Sequence, residues 1–172
     1  SNFYPDQMFE AMHTAQGSQS QVFIDASWLS IARIDETLSF VKASSPRGWV
    51  MLANDAALAK TMLQTAQSQG YGSTQMFIGK TWNGGSSAQV SINAVLADSN
   101  VMGASNEAVA EVNSQIAVVK SATGLTDAEI IKVPFLHWKA SSYSVAFQPG
   151  TVNLTYVGPK TVAAAKPHGP KI

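Results

Sequence analysis

The amino-acid sequence predicts an α/β fold with mixed sheets and packed helices. Three observations lead there. Strand-like and helix-like segments alternate along the chain, with no repeat at a fixed period. Residues 48–53 (Gly-Trp-Val-Met-Leu-Ala) form a continuous apolar run that stops at Asn54-Asp55, the pattern of a buried strand entering a capped helix. A long helical stretch over 88–122 is closed by Gly124 and succeeded by the strand-like run Ile130-Ile131-Lys132-Val133. The 172 residues suit one domain with a real core, so a single domain is expected over residues 1–172. Apolar residues make up 45% and charged ones 13%, about half the usual charged share. Such a chain is compact and low in charge rather than disordered.

From the amino terminus, residues 5–16 predict a helix, because Met8, Phe9 and Met12 recur at helical spacing and Gly17 offers a stop. Residues 21–25 (Gln-Val-Phe-Ile-Asp) predict a strand. Over 31–41 the period is mixed, which suits a short helical turn leading into a strand. Residues 56–69 predict a helix with Leu58, Met62, Leu63 and Ala66 on one face, ended by Gly70-Tyr71-Gly72. A short strand is expected over 75–79 and a turn over 84–87. Within the helical stretch 88–122, Met102-Gly103 is the expected point of any break. Residues 126–129 read as a second capped start, and 130–134 as a strand stopped by Pro134. Residues 143–147 and 152–157 predict two strands, joined as a hairpin through Gln148-Pro149-Gly150-Thr151. The tail over 166–170 (Lys-Pro-His-Gly-Pro) excludes regular structure.

Composition narrows the chemistry. Eleven basic and 11 acidic residues balance, which argues against nucleic acid as the main partner. No cysteine is present, so these residues hold no thiolate nucleophile, disulfide or Cys-ligated metal. No apolar run nears the roughly 20 residues that span a bilayer, and the first residues lack a signal-peptide pattern. The three histidines, His13, His137 and His168, fall on a predicted helix, in a predicted loop and in the tail, without metal-ligand spacing. They read as unrelated polar side chains, and no metal or cofactor is expected in this chain. Asn153-Leu154-Thr155 is a glycosylation sequon, but its predicted place inside a strand argues against use.

One cluster stands apart: Trp28-Leu29-Ser30-Ile31-Ala32-Arg33-Ile34-Asp35-Glu36 gathers two carboxylates and a guanidinium beside an aromatic ring. The ordinary structural reading is a partly buried ion pair, Arg33 with Asp35 or Glu36. Arg33 and Asp35 would share a face if this segment were extended. The functional reading is a carboxylate site for a cationic ligand.

At this cluster the stretch from Asp25 to Val41 closely resembles a signature of the protein-arginine deiminases, Asp-Trp-Leu-Ser-Val-Gly-His-Val-Asp-Glu-Phe-Leu-Ser-Phe. The similarity continues through Gly48-Trp49 to Leu52, through Gln67 to Phe77 with Gly70 and Gly72, and through residues 124–134, which keep a Gly-Leu, Asp-Ile-Ile, Ile-Pro pattern. Phe147, Pro149, Val152, Asn153, Gly158, Lys166, Pro167, Gly169 and Pro170 then fall in family order. The resemblance implies a partial pentein-like α/β propeller, built from ββαβ modules around a central site. It implies calcium-dependent hydrolases that turn peptidyl arginine into peptidyl citrulline and release ammonia. In such enzymes a Cys attacks the guanidinium carbon, a His is general acid and base, and two Asp residues hold the guanidinium.

This sequence departs from that pattern where chemistry happens. Arg33 stands at the His position of the signature, and Ala32 replaces the neighbouring Gly. Arginine as a residue type does not shuttle protons. By resemblance, the second guanidinium-binding Asp and most calcium ligands would precede this stretch, and the nucleophile would come after it. Asp35 alone carries over as the substrate-binding position, with Arg33, Glu36 and Trp28 as neighbouring candidates. The resulting expectation is a non-catalytic deiminase-like module that binds a protein or peptide. Its alternative is a fragment of a longer calcium-dependent deiminase that converts peptidyl arginine to citrulline; on either reading the chain is expected to be soluble, cytoplasmic by resemblance or secreted as a processed, bioactive product. Missing modules would expose apolar faces, so a homodimer is expected.

Overall fold

The computed structural model describes residues 5–82 and 85–172. Its centre is a three-stranded sheet of β1 (Leu38–Lys42), β2 (Trp49–Asp55) and β5 (Ile130–Pro134), in the order β1-β2-β5. β1 and β2 are antiparallel, with Leu38 opposite Ala53 and Lys42 opposite Trp49. β2 and β5 are parallel, with Met51 opposite Ile130 and Asp55 opposite Pro134. A parallel pair needs a crossover. Here it runs through α2 (Ala56–Ala66), β3 (Gln75–Met76), β4 (Val90–Ser91), α3 (Ile92–Ala97) and α4 (Ser99–Thr123). The mixed α/β class therefore holds. Three two-stranded sheets complete the fold: β3-β4, β6 (His137–Ala140) with β7 (Tyr143–Ala146), and β8 (Leu154–Gly158) with β9 (Thr161–Ala164). Among the described residues these sheets do not close into a propeller.

α4 organises the core. Its 25 residues rise about 37 Å at 1.5 Å per residue, enough to serve two clusters. Val112, Ile116 and Val119 pack with Leu38, Met51 and Ala53 of the sheet, and with Trp28 and Leu29. Towards its start, Val101 joins Ala59 and Leu63 of α2, Ile92 and Val95 of α3, and Leu136 and Phe147. Buried positions 101, 104, 108, 112, 116 and 119 recur every three or four residues, which keeps one face inward along the helix. Gly124 ends it in the left-handed region at φ 69°, where a side chain would be strained.

Several expected elements form as read. α1 (Gln7–Ala15) is capped by Asp6, whose side chain accepts from the Met8 amide. A 3-10 turn, Ile34–Glu36, leads into β1. The Asp55 carboxylate caps α2 at the Leu58 amide, at 2.8 Å. Thr126 and Glu129 close a capping box at the 3-10 turn Asp127–Glu129. The tail over 166–170 is irregular, and the His168 carbonyl accepts from the Phe77 amide.

Others change. Residues 21–25 join no sheet; the Asp25 carbonyl instead accepts from the Gln115 side chain. Met62 is exposed, because Ala56, Ala59, Leu63 and Ala66 make the buried face of α2. β3 stops at Met76, since Phe77 turns to φ 55°. The expected helix over 88–122 is two helices. Val90–Ser91 pairs with β3, Ser91 caps α3, and Asp98 breaks the chain to cap α4 through the amides of Asn100 and Val101. Gly103 lies inside α4 and breaks nothing. The turn of the β3–β4 region closes through Trp82, Gly85 and Ser86, while Gly84 lies outside the described residues. The expected hairpin of 143–147 with 152–157 does not form. β7 pairs with β6 and β8 with β9, because His137–Ala140 is itself a strand.

Candidate functional site

The sheet has two unlike ends. At the carboxyl ends of β2 and β5, where open α/β sheets tend to bind ligands, the chain brings Glu36, Phe135 and His137 to one cleft. Ala146, Gly150, Asn153 and Ala165 complete its lining, and its volume is about 290 Å³.

Buried amides position the acidic turn beside it. Asn54 is 2% exposed and donates from its side chain to the Glu36 carbonyl at 2.6 Å. Its backbone amide donates to the Thr37 carbonyl. The Thr37 hydroxyl donates to Gln115 at 2.8 Å, and Gln115 donates on to the Asp25 carbonyl at 2.8 Å. This chain of bonds ties the 3-10 turn to α4 and to β2. A buried polar chain fixes geometry because each loose group would cost about 1–3 kcal/mol.

His137 is the unusual member. Its backbone is satisfied: the amide donates to Ser105 Oγ at 3.1 Å, and Ser105 donates back to the His137 carbonyl at 3.3 Å. The imidazole is 2% exposed, yet neither ring nitrogen has a hydrogen-bond partner. It lies between aromatic rings, 5.3 Å from Trp28 and 4.9 Å from Phe135 between centroids. Burial, helped by the Lys139 cation, pushes it down to about 4. The ring is therefore neutral near pH 7, offering one N–H donor and one acceptor. Trp28 Nε1 and Ser144 Oγ are also buried without partners. Lys139 pairs with Glu107 at 2.5 Å.

The four residues singled out in the sequence are split by the structure. Arg33 and Asp35 do pair, Nη2 to Oδ2 at 3.5 Å, but at the surface, with 64% and 47% of their side chains exposed. The expected partly buried pair is thus corrected to a solvated one. Nor does an extended segment align them, since Arg33 precedes a 3-10 turn that contains Asp35. Glu36 accepts from the Arg33 backbone amide at 3.3 Å and borders the cleft. Trp28 is buried against His137.

His137 is expected in a loop on sequence alone; it opens β6 instead and is buried. A histidine inside the apolar run Phe135-Leu136-His137-Trp138 is the one signal that marks it. Asn153 also moves: it lies just ahead of β8 and is exposed, while Leu154 and Thr155 of the sequon open that strand. Among the described residues no three His, Asp or Glu side chains are grouped to hold a metal ion. The residues present do not fit the calcium that the resemblance implies. No helix among the described residues is long and apolar enough to cross a membrane.

A mixed sheet with a crossover and a cleft at its carboxyl edge defines an α/β protein. The family description "Protein-arginine deiminase (PAD)" matches residues 2–172. The chain belongs to the protein-arginine deiminase family. It is 32% identical to mouse protein-arginine deiminase type-1 over 158 residues, covering 92% of this chain and 23% of that protein. It is 31% identical to the human type-1 protein over 158 residues, with the same coverage of both chains. Human protein-arginine deiminase type-4 is 30% identical over 178 residues, covering 96% of this chain and 25% of that protein. The chain spans about a quarter of the length of these curated relatives.

Proposed function

We propose that this chain is a deiminase-like module that binds a protein or peptide without carrying out deimination itself. The observation that supports it most is Arg33, which stands at the His position of the family signature and lies 3.5 Å from Asp35. A guanidinium already beside that carboxylate acts as a built-in pseudo-substrate. The proton shuttle that a His would supply is lost as well. The pair is exposed, so its own strength is small, about 0.2–1 kcal/mol. Repulsion of a second guanidinium about 4 Å away adds about 1 kcal/mol in water-like surroundings. Exclusion of substrate is therefore partial, while loss of the acid–base group is complete.

The second reading is a segment of a longer, calcium-dependent deiminase of pentein-like propeller fold, in which β1-β2-α2-β5 is one ββαβ module. The length of the relatives and the connectivity of the central sheet favour it. A homodimer belongs to the first reading, supported by Val41, Val50, Leu52, Ile131 and Val133 on the sheet face away from α4, none of them buried.

The test is citrulline formation from an arginyl peptide with calcium present. No product is expected from the 172-residue chain or from its Arg33→His variant. Product from the unaltered chain would overturn the first reading.

A further inference from the structure

We infer that the cleft at the carboxyl ends of β2 and β5 binds an organic primary ammonium group on an alkyl stem, such as a lysine side chain or an aliphatic amine. This inference concerns the Glu36–His137 cleft, not the Arg33–Asp35 pair, and holds whichever reading of the deiminase-like module is correct.

Orphaned chemistry marks the cleft. A buried imidazole normally finds a hydrogen-bond partner. His137 is 2% exposed and has none at either nitrogen, although it lines a cleft of about 290 Å³. The neutral ring leaves one nitrogen free to accept. Glu36, on the same cleft, supplies a carboxylate whose one 3.3 Å bond uses little of its acceptor capacity. Asn153 borders the cleft too and adds an amide oxygen. The Glu36 carboxylate and the Asn153 amide oxygen, with the unpartnered His137 ring buried in the wall, suit an ammonium, which carries three donors on a point charge.

Charge points the same way. Among the described residues, Glu36 is the one charged side chain lining the cleft. The nearest cation on β6, Lys139, is turned to Glu107 at 2.5 Å and to the Ser142 carbonyl at 3.3 Å. An anion would meet Glu36, and a neutral alcohol would leave it unpaired. The remaining walls, Phe135, Ala146 and Ala165, are apolar and match an alkyl stem, and the Phe135 ring adds a face attractive to a cation.

Titration of labelled protein with n-butylammonium at pH 7, monitored through the His137 imidazole resonances, tests the inference. Saturable shifts at His137 are expected. Glu36→Gln should weaken binding tenfold or more, and His137→Phe, followed by calorimetry because its imidazole signal is gone, should abolish it while keeping an aromatic ring between Trp28 and Phe135. If His137→Phe does not fold, Glu36→Gln alone decides. Butyrate and n-butanol should not compete. No shift at His137, unchanged affinity in Glu36→Gln, or tighter binding of n-butylguanidinium than of n-butylammonium would each overturn it. Citrulline formation does not enter this readout, so the inference and the deiminase-like reading can fail separately.

Discussion

The chain has two arginines, at opposite ends of the central sheet, and they are used in opposite ways. Arg47 precedes β2, and every part of its guanidinium is engaged. Nε meets Glu129 at 3.0 Å, the two terminal nitrogens donate to the Thr123 and Gly124 carbonyls at 3.0 Å each, and the group lies 5.3 Å over the Trp49 ring. It thereby satisfies carbonyls that the end of α4 leaves open. The Thr126 amide and hydroxyl and the Arg47 guanidinium draw Glu129 down to about 2. Arg33, by contrast, makes one 3.5 Å side-chain contact and stands mostly in water. At its end of the sheet lies the unpartnered ring of His137. Saturation at one end and unmet hydrogen bonds at the other separate the two ends physically, and the binding proposed above belongs to the second.

Acid should break the second end first and most strongly. His137 has a folded value of about 4 against an ordinary 6.5, so the folded state resists protonation. Its contribution is complete above about pH 6.5 and is lost as pH falls from there towards 4. The loss amounts to about 3 kcal/mol, read from urea unfolding across that range. In His137→Phe this acid dependence should flatten; an unchanged profile would place it on other groups.

Arg47→Met should cost about 2 kcal/mol, because three charged hydrogen bonds go and α4 keeps open carbonyls. Thermal unfolding should shift down by about 4–8 °C. A neutral result would remove the distinction between the two ends. Gly124→Ala, at φ 69°, should cost about 1 kcal/mol in urea unfolding by forcing a side chain into the left-handed region. Arg33→Ala should change stability by less than about 0.5 kcal/mol, since an exposed pair contributes little. A large loss there would mean that Arg33 is structural after all.

Much of the fold was legible because local signals agreed with it. The apolar run into Asn54-Asp55, the Thr126–Glu129 capping box and the Gly124 stop each state their element within a few residues. Pairing at a distance misled. Residues 21–25 look like a strand, yet their carbonyl at Asp25 is claimed by Gln115, 90 positions on. Residues 143–147 look like half of a hairpin with 152–157, but the strand just before them, 137–140, reaches them first. The candidate site was half legible. The acidic turn and Trp28 could be named from the family signature, but the burial of Trp28 and the exposure of Arg33 and Asp35 depend on tertiary packing. A lone histidine gives no spacing to read, so the place of His137 in the apolar run 135–138 is its only mark in the sequence. Only the packing of Trp28 and Phe135 around it makes it unusual.

The most direct test of the central claim, that Arg33 stands in for a substrate guanidinium at Asp35, is calorimetric binding of an arginyl peptide to the unaltered chain and to Arg33→Ala. The account predicts weak binding by the unaltered chain. It predicts a gain of about seven- to thirtyfold in the variant, the worth of a lost exposed pair and a lost repulsion. That gain should vanish when Asp35→Asn is added. Equal affinity in the unaltered chain and Arg33→Ala, or a gain that survives loss of the Asp35 carboxylate, would contradict it.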